Sequence, residues 1–85
     1  MGHYDKKEIQ LKVDEILVNT LGVSEDSVEP TATLKWDLMC DSIDAIEVSM
    51  QLERTFGVTI TDYQIGEMQN GKVEDIYEII YELTK

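Results

Sequence analysis

The sequence predicts an all-α domain of four helices, three of them principal and the third one short. Three observations lead there. Apolar residues recur at the helical period in residues 4–21, 42–56 and 73–83. Glycines mark the breaks, at Gly22, Gly57 and Asn70-Gly71. The short β-branched run Val58-Thr59-Ile60 has no second strand to pair with, and a lone strand is not stable. The chain has 85 residues, enough for one domain, and at that size only a little over ~60% of the unfolded surface can be buried. The core must be small.

The first helix, 4–21, carries Ile9, Val13, Ile16, Leu17 and Thr20 on one face, with Lys6, Lys7, Asp14 and Glu15 mostly off it. From residue 23 to 41 the chain reads as a long loop. It holds Ser24, Asp26, Ser27 and the only proline, Pro30, and loops of this length in compact domains are usually functional. Val28, Leu34, Trp36 and Leu38 are spaced through it as anchors, with Trp36 expected to fill space in the loop. The second helix, 42–56, closes at Gly57 with Arg54 suitably placed for the helix dipole. Asp62 is expected to cap a short third helix through residue 67. The last helix, 73–83, buries Val73, Ile76, Ile79, Ile80 and Leu83, with Tyr77 and Tyr81 at the edge of the core.

The start of the second helix carries most of the information. Ser42 follows an aspartate and precedes Ile43, Ala45, Ile46 and Val48, the position of a helix N-cap. Its hydroxyl then lies at the positive end of the helix dipole, where free backbone N–H groups favour a phosphate. At about 100° per residue, Ala45, Val48, Ser49, Leu52 and Phe56 share one face, which reads as the core face. Ile43, Ile46 and Met50 form a second stripe roughly 140° away, which the same core cannot easily bury. Asp44 and Glu47 edge that stripe on one side and Glu53 on the other. An apolar strip rimmed with acids suits the docking of basic partners.

Asp37-Leu38-x-x-Asp41-Ser42-Ile43 resembles the Asp-Leu-Gly-x-Asp-Ser-Leu signature of acyl carrier proteins. Leu21-Gly22-Val23, Val28, Thr33-Leu34, residues 47–56, Ile60 and Asp62 continue the likeness without a gap, so that it covers nearly the whole chain. The resemblance implies a four-helix bundle of the acyl-carrier type and a single carrier domain over residues 1–85, with residues 1–3 disordered or vector-derived. It implies that Ser42 carries 4′-phosphopantetheine, transferred from coenzyme A, whose thiol holds acyl groups as thioesters. It also implies a docking surface of Asp41, Ile43, Asp44, Ile46, Glu47, Met50 and Glu53, and an acyl site between the helices against Val48, Leu52, Phe56, Ile60 and Ile76. The chain departs from the family at Met39, where a glycine is usual, at Cys40, where a small residue is, at Ile43 for leucine and at Thr61 for proline.

Charge and chemistry agree with a carrier. Seven basic against eighteen acidic residues give a net charge of −11. Positions 1–23 hold three bases and four acids, and positions 24–85 hold four and fourteen. That balance argues against nucleic acid or an anionic membrane as partner and for basic proteins or divalent cations. No enzyme constellation is visible, because the only histidine is His3, near the start, and a Ser-His arrangement on Ser42 has no base. Asp37, Asp41 and Asp44 lack the glycine and glutamate of a calcium loop, so no metal site beyond weak cation binding is expected. Cys40, the single cysteine, reads as a small buried thiol. Neither a signal peptide nor a run long enough to span a bilayer is present, which points to the cytoplasm, or to an organelle matrix after processing.

The expectation is therefore a monomeric, non-enzymatic acyl carrier of fatty-acid or polyketide-type biosynthesis, modified by a phosphopantetheinyl transferase. A peptidyl or aminoacyl carrier of a dedicated pathway is the nearest alternative. A small acidic adaptor that never carries cargo is the alternative of a different class.

Overall fold

A computed structural model of the chain describes residues 4–85; the expectation about residues 1–3 and His3 lies outside the described residues. Four α-helices follow in order: α1 (Lys6–Leu21), α2 (Ser42–Phe56), α3 (Asp62–Gln69) and α4 (Val73–Thr84), with a turn of 3-10 helix at Glu25–Ser27. Helix α1 packs against α2 and α4, and α3 packs against the same two. The four form a closed ring around one core. Its centre is Val13, Leu17, Val48, Leu52, Val73, Ile76 and Ile80, each at most 1% exposed. The all-helical expectation holds, with three long helices and a short third.

The helix ends show which local signals were decisive. Asp5 accepts the Glu8 N–H at 2.8 Å, so α1 begins at Lys6 and not at Tyr4. Tyr4 instead sets its ring edge-on against Phe56, with centroids 5.0 Å apart. Gly22 and Gly57 close α1 and α2 in the left-handed conformation, at φ 69° and 68°. Thr61, not Asp62, caps α3: its hydroxyl accepts the Gln64 N–H at 3.1 Å while the Gln64 amide oxygen accepts the Thr61 N–H at 3.0 Å. That reciprocal pair gives Thr61 a local role where the family more often has proline. Helix α3 runs to Gln69, two residues beyond the expected end.

The long loop is less free than its composition indicates. Thr33 and Lys72 form an isolated antiparallel bridge. Beside it the Leu34 N–H donates to the Gly71 carbonyl at 3.1 Å, and the Val73 and Glu74 N–H groups donate to the carbonyls of Ala32 and Pro30, both at 2.9 Å. The first turn of α4 is thus capped by backbone oxygens of the loop, which satisfies donors that a helix leaves open. Val28, Leu34 and Leu38 are buried as expected of anchors. Trp36 is not. It is 73% exposed, because Leu34 and Leu38 take the inward positions of the turn and leave the indole outside. In α4, Ile79 and Leu83 are half-buried flanks of the core, as is Ile16 in α1, while Ile76 and Ile80 are fully enclosed.

Candidate functional site

The loop 33–41 leads into Ser42 at the start of α2. Asp37 folds back on Thr33, its carboxylate accepting the Thr33 N–H at 2.8 Å and the Thr33 hydroxyl at 3.2 Å. Leu38 is buried, and the Cys40 N–H donates to the Leu34 carbonyl at 2.8 Å. Between them Met39 takes φ 56°, the left-handed region that side chains resist, with its own side chain 77% exposed. Where the resemblance leads one to expect glycine, this chain holds a left-handed backbone with methionine.

Asp41 then caps α2. Its carboxylate accepts the Asp44 N–H at 2.8 Å, and the Asp44 carboxylate accepts the Asp41 N–H at 3.2 Å, a reciprocal box. Ser42 is consequently the first residue of the helix and not its N-cap, a shift of one position. The shift frees the hydroxyl, since the aspartate does the capping. Ser42 is exposed, and among the described residues its oxygen has one side-chain hydrogen-bond partner, the Gln69 amide at 3.4 Å. Lys35, Met39, Asp41 and Gln69 line a shallow depression of about 380 Å³ around Ser42, with buried Cys40 among its lining residues. Burial, and then the charges of Asp44 and Asp41, push the Cys40 thiol up to about 11, so it is not a nucleophile at neutral pH.

The two faces of α2 separate as the period requires. Ala45, Val48, Ser49, Leu52 and Phe56 are all buried, and the Ser49 hydroxyl is satisfied by the Ile46 carbonyl at 2.7 Å. Ile43, Ile46 and Met50 are 77%, 50% and 47% exposed and follow Ser42 along the outer face. The acids around them differ in kind. Glu47 is exposed and free of hydrogen bonds among the described residues, Asp44 is half-buried in the capping box, and the Glu53 carboxylate accepts the Ile60 N–H at 2.8 Å to fasten the α2–α3 connection. Val48, Leu52, Phe56, Ile60 and Ile76 all belong to the core cluster, each at most 6% exposed. The described cleft of about 330 Å³ opens elsewhere, beside Lys6, Ile9, Tyr77 and Tyr81. Among the described residues no cluster of acids, cysteine or histidine could hold a metal ion, and no helix is long and apolar enough to cross a membrane.

Such a site can hold a group. The Ser42 hydroxyl is exposed at a helix start, and the carboxylates next to it, Asp41 and Asp44, are engaged with each other's backbone N–H groups. The same hydroxyl can root an ester that points into solvent, beside first-turn N–H groups that favour an anion. Two residues of the depression, Lys35 and Gln69, escape a sequence reading. Gln69 is 27 positions from Ser42, with no local pattern to flag it. The one signal Lys35 leaves is its place as the lone base between Lys12 and Arg54.

Comparison with known proteins agrees with this geometry. Residues 12–80 match a family model described as "Phosphopantetheine attachment site". The acyl carrier protein of Rubrobacter xylanophilus is 37% identical over 78 residues, covering 92% of this chain and 94% of that protein. The acyl carrier protein of Petrotoga mobilis is 38% identical over 77 residues, covering 91% and 88%. With the helix ring, the turn that presents Ser42 and a match over nearly the whole length, the chain belongs to the phosphopantetheine-binding acyl carrier family, whose members are carriers and not enzymes and whose cofactor is phosphopantetheine.

Proposed function

We propose that Ser42 is the attachment point of the phosphopantetheine arm, and that the chain carries acyl intermediates as thioesters in fatty-acid or polyketide-type biosynthesis. The observation that carries this reading is the hand-over of capping to Asp41, which leaves the Ser42 hydroxyl exposed at the helix start. The arm supplies the thiol. The protein supplies position: tethering replaces free diffusion with a local effective concentration and marks the acyl group as cargo.

Partners of this reading are a phosphopantetheinyl transferase and chain-building enzymes with basic docking surfaces. The exposed Ile43-Ile46-Met50 strip with Glu47 and Asp41 beside it supports that, because charge steers encounter while a small apolar area releases readily. Glu53 is a weaker contributor, its carboxylate being engaged with Ile60. An acyl chain sheltered against Val48, Leu52, Phe56, Ile60 and Ile76 requires the helices to part, since those side chains are buried in a core that packs at near-crystal density. The reading is of a single-domain monomer working in the cytoplasm.

Intact mass of the protein from its own cells, before and after hydroxylamine, tests the function. The expected result is one phosphopantetheine bearing a hydroxylamine-labile fatty or polyketide acyl group. An amino-acid cargo would move the chain to the peptidyl carriers, and protein that never bears an arm would favour the acidic adaptor.

A further inference from the structure

The signature residues around Ser42 are already occupied: Asp37 holds Thr33, Leu38 is buried and Asp41 caps the helix. Two other side chains of the depression have donors to spare. Lys35 makes no ion pair with a carboxylate among the described residues, although the chain carries eighteen acids. Its ammonium instead lies 5.3 Å from the centre of the exposed Trp36 ring, a contact that orients the lysine yet leaves N–H donors open. The Gln69 amide already donates toward the Ser42 oxygen at 3.4 Å, across from the end of α3.

Resting on Ser42 as the attachment point, we propose that Lys35 and Gln69 hold the phosphodiester of the arm, Lys35 as its counter-ion and Gln69 as a hydrogen-bond donor. The electrostatics call for such a pair. A phosphodiester brings a permanent negative charge to a place flanked by Asp41 and Asp44, and the helix N–H groups are partly consumed by the Asp41 cap. Among the described residues Lys35 is the only base lining that depression. Charge-assisted bonds from lysine and amide to phosphate oxygens fix the root of the arm while its thiol end stays free to travel. The lysine lies outside the quoted signature Asp37-Leu38-x-x-Asp41-Ser42-Ile43, so the signature alone does not supply it.

Residue-resolved lysine acylation of apo and holo protein tests this, with the holo form made from coenzyme A and verified by intact mass. Lys35 is expected to react at least threefold more slowly in the holo form at low salt. That protection should shrink in about 0.5 M salt, where the Debye length falls to a few ångströms, while Lys7 and Lys12 of α1 should be unaffected throughout. In the ³¹P spectrum of the holo protein, Lys35→Met with Gln69→Ala should shift the phosphodiester resonance and narrow it. Equal labelling of Lys35 in both forms, or protection indifferent to salt, overturns the proposal, as does an unchanged ³¹P signal. A chain that gains no arm overturns the attachment reading and this proposal with it. A chain that gains the arm and leaves Lys35 unprotected overturns this proposal alone.

Discussion

Met39 shows what one side chain can cost. It sits at φ 56° with its side chain 77% exposed, so the strained backbone is not offset by burial. A non-glycine residue in that region is disfavoured by ~1–2 kcal/mol, and glycine gives back part of the gain through a freer unfolded chain. Met39→Gly is therefore expected to raise stability by about 0.5–1 kcal/mol in urea unfolding. No change would mean that the loop 33–41 relaxes to suit either residue. Asp14 makes a second case. Desolvation raises its carboxyl above the ordinary value, the Tyr77 hydroxyl that donates to it lowers it in part, and the charge of Glu25 adds to the rise. Because the folded value lies above the unfolded one, the folded state holds the proton more tightly. Stability from this group is full below the unfolded value of 3.8 and is lost as pH rises through the folded one. Asp14→Asn is thus expected to gain on the wild type at pH 7, with the difference closing as pH falls below 4. A difference that widens on acidification would contradict the sign.

At the scale of elements, the helix faces were legible and the helix ends were not. Period alone separated Ala45, Val48, Ser49, Leu52 and Phe56 from Ile43, Ile46 and Met50, because burial on a helix repeats every 3.6 residues whatever the partner. Caps slipped by one at Ser42 and Asp62, since each has a neighbour, Asp41 or Thr61, equally able to cap, and composition does not decide between adjacent candidates. The stitching of residues 30–34 to 71–74 was invisible because it runs through backbone groups. Gly71 is the trace it leaves: a Cβ there would stand 2.7 Å from the Glu67 carbonyl and 2.5 Å from the Asp75 carboxylate. Gly71→Ala should lower stability by about 1–3 kcal/mol in thermal unfolding, and a neutral result would show that the junction yields. The acids of α2 also separate here. Glu47→Lys should slow arm transfer several-fold at low salt and leave the melting temperature alone. Asp44→Lys should slow it as well but also cost about 0.5–2 kcal/mol, because it breaks the capping box. Equal transfer rates for wild type and Glu47→Lys would remove the acidic docking surface from the account.

For the whole molecule, charge and fold pull against each other. Eighteen acids and seven bases on a small domain repel one another, and fourteen of the acids lie from residue 24 onward. Moving from about 20 to 200 mM salt shortens the Debye length from roughly 20 Å to 7 Å, so the melting temperature is expected to rise by several degrees. A flat response would mean that the acids are spaced too widely to matter. The resemblance carried family and cofactor, because a short signature suffices for them, and the apolar period with its glycine breaks carried the helix count. Trp36 went against expectation. An indole among buried loop anchors reads as packing from sequence, and only the turn at Leu34 and Leu38 reveals that its side chain is left outside beside Lys35.

The central claim is that the Ser42 oxygen bears the arm, and intact mass after incubation with coenzyme A and a broad-specificity phosphopantetheinyl transferase tests it most directly. The account predicts a gain of one phosphopantetheine for the wild type and none for Ser42→Ala, with both proteins folded by circular dichroism. A folded wild type that gains nothing, or a Ser42→Ala protein that is still modified, would contradict it.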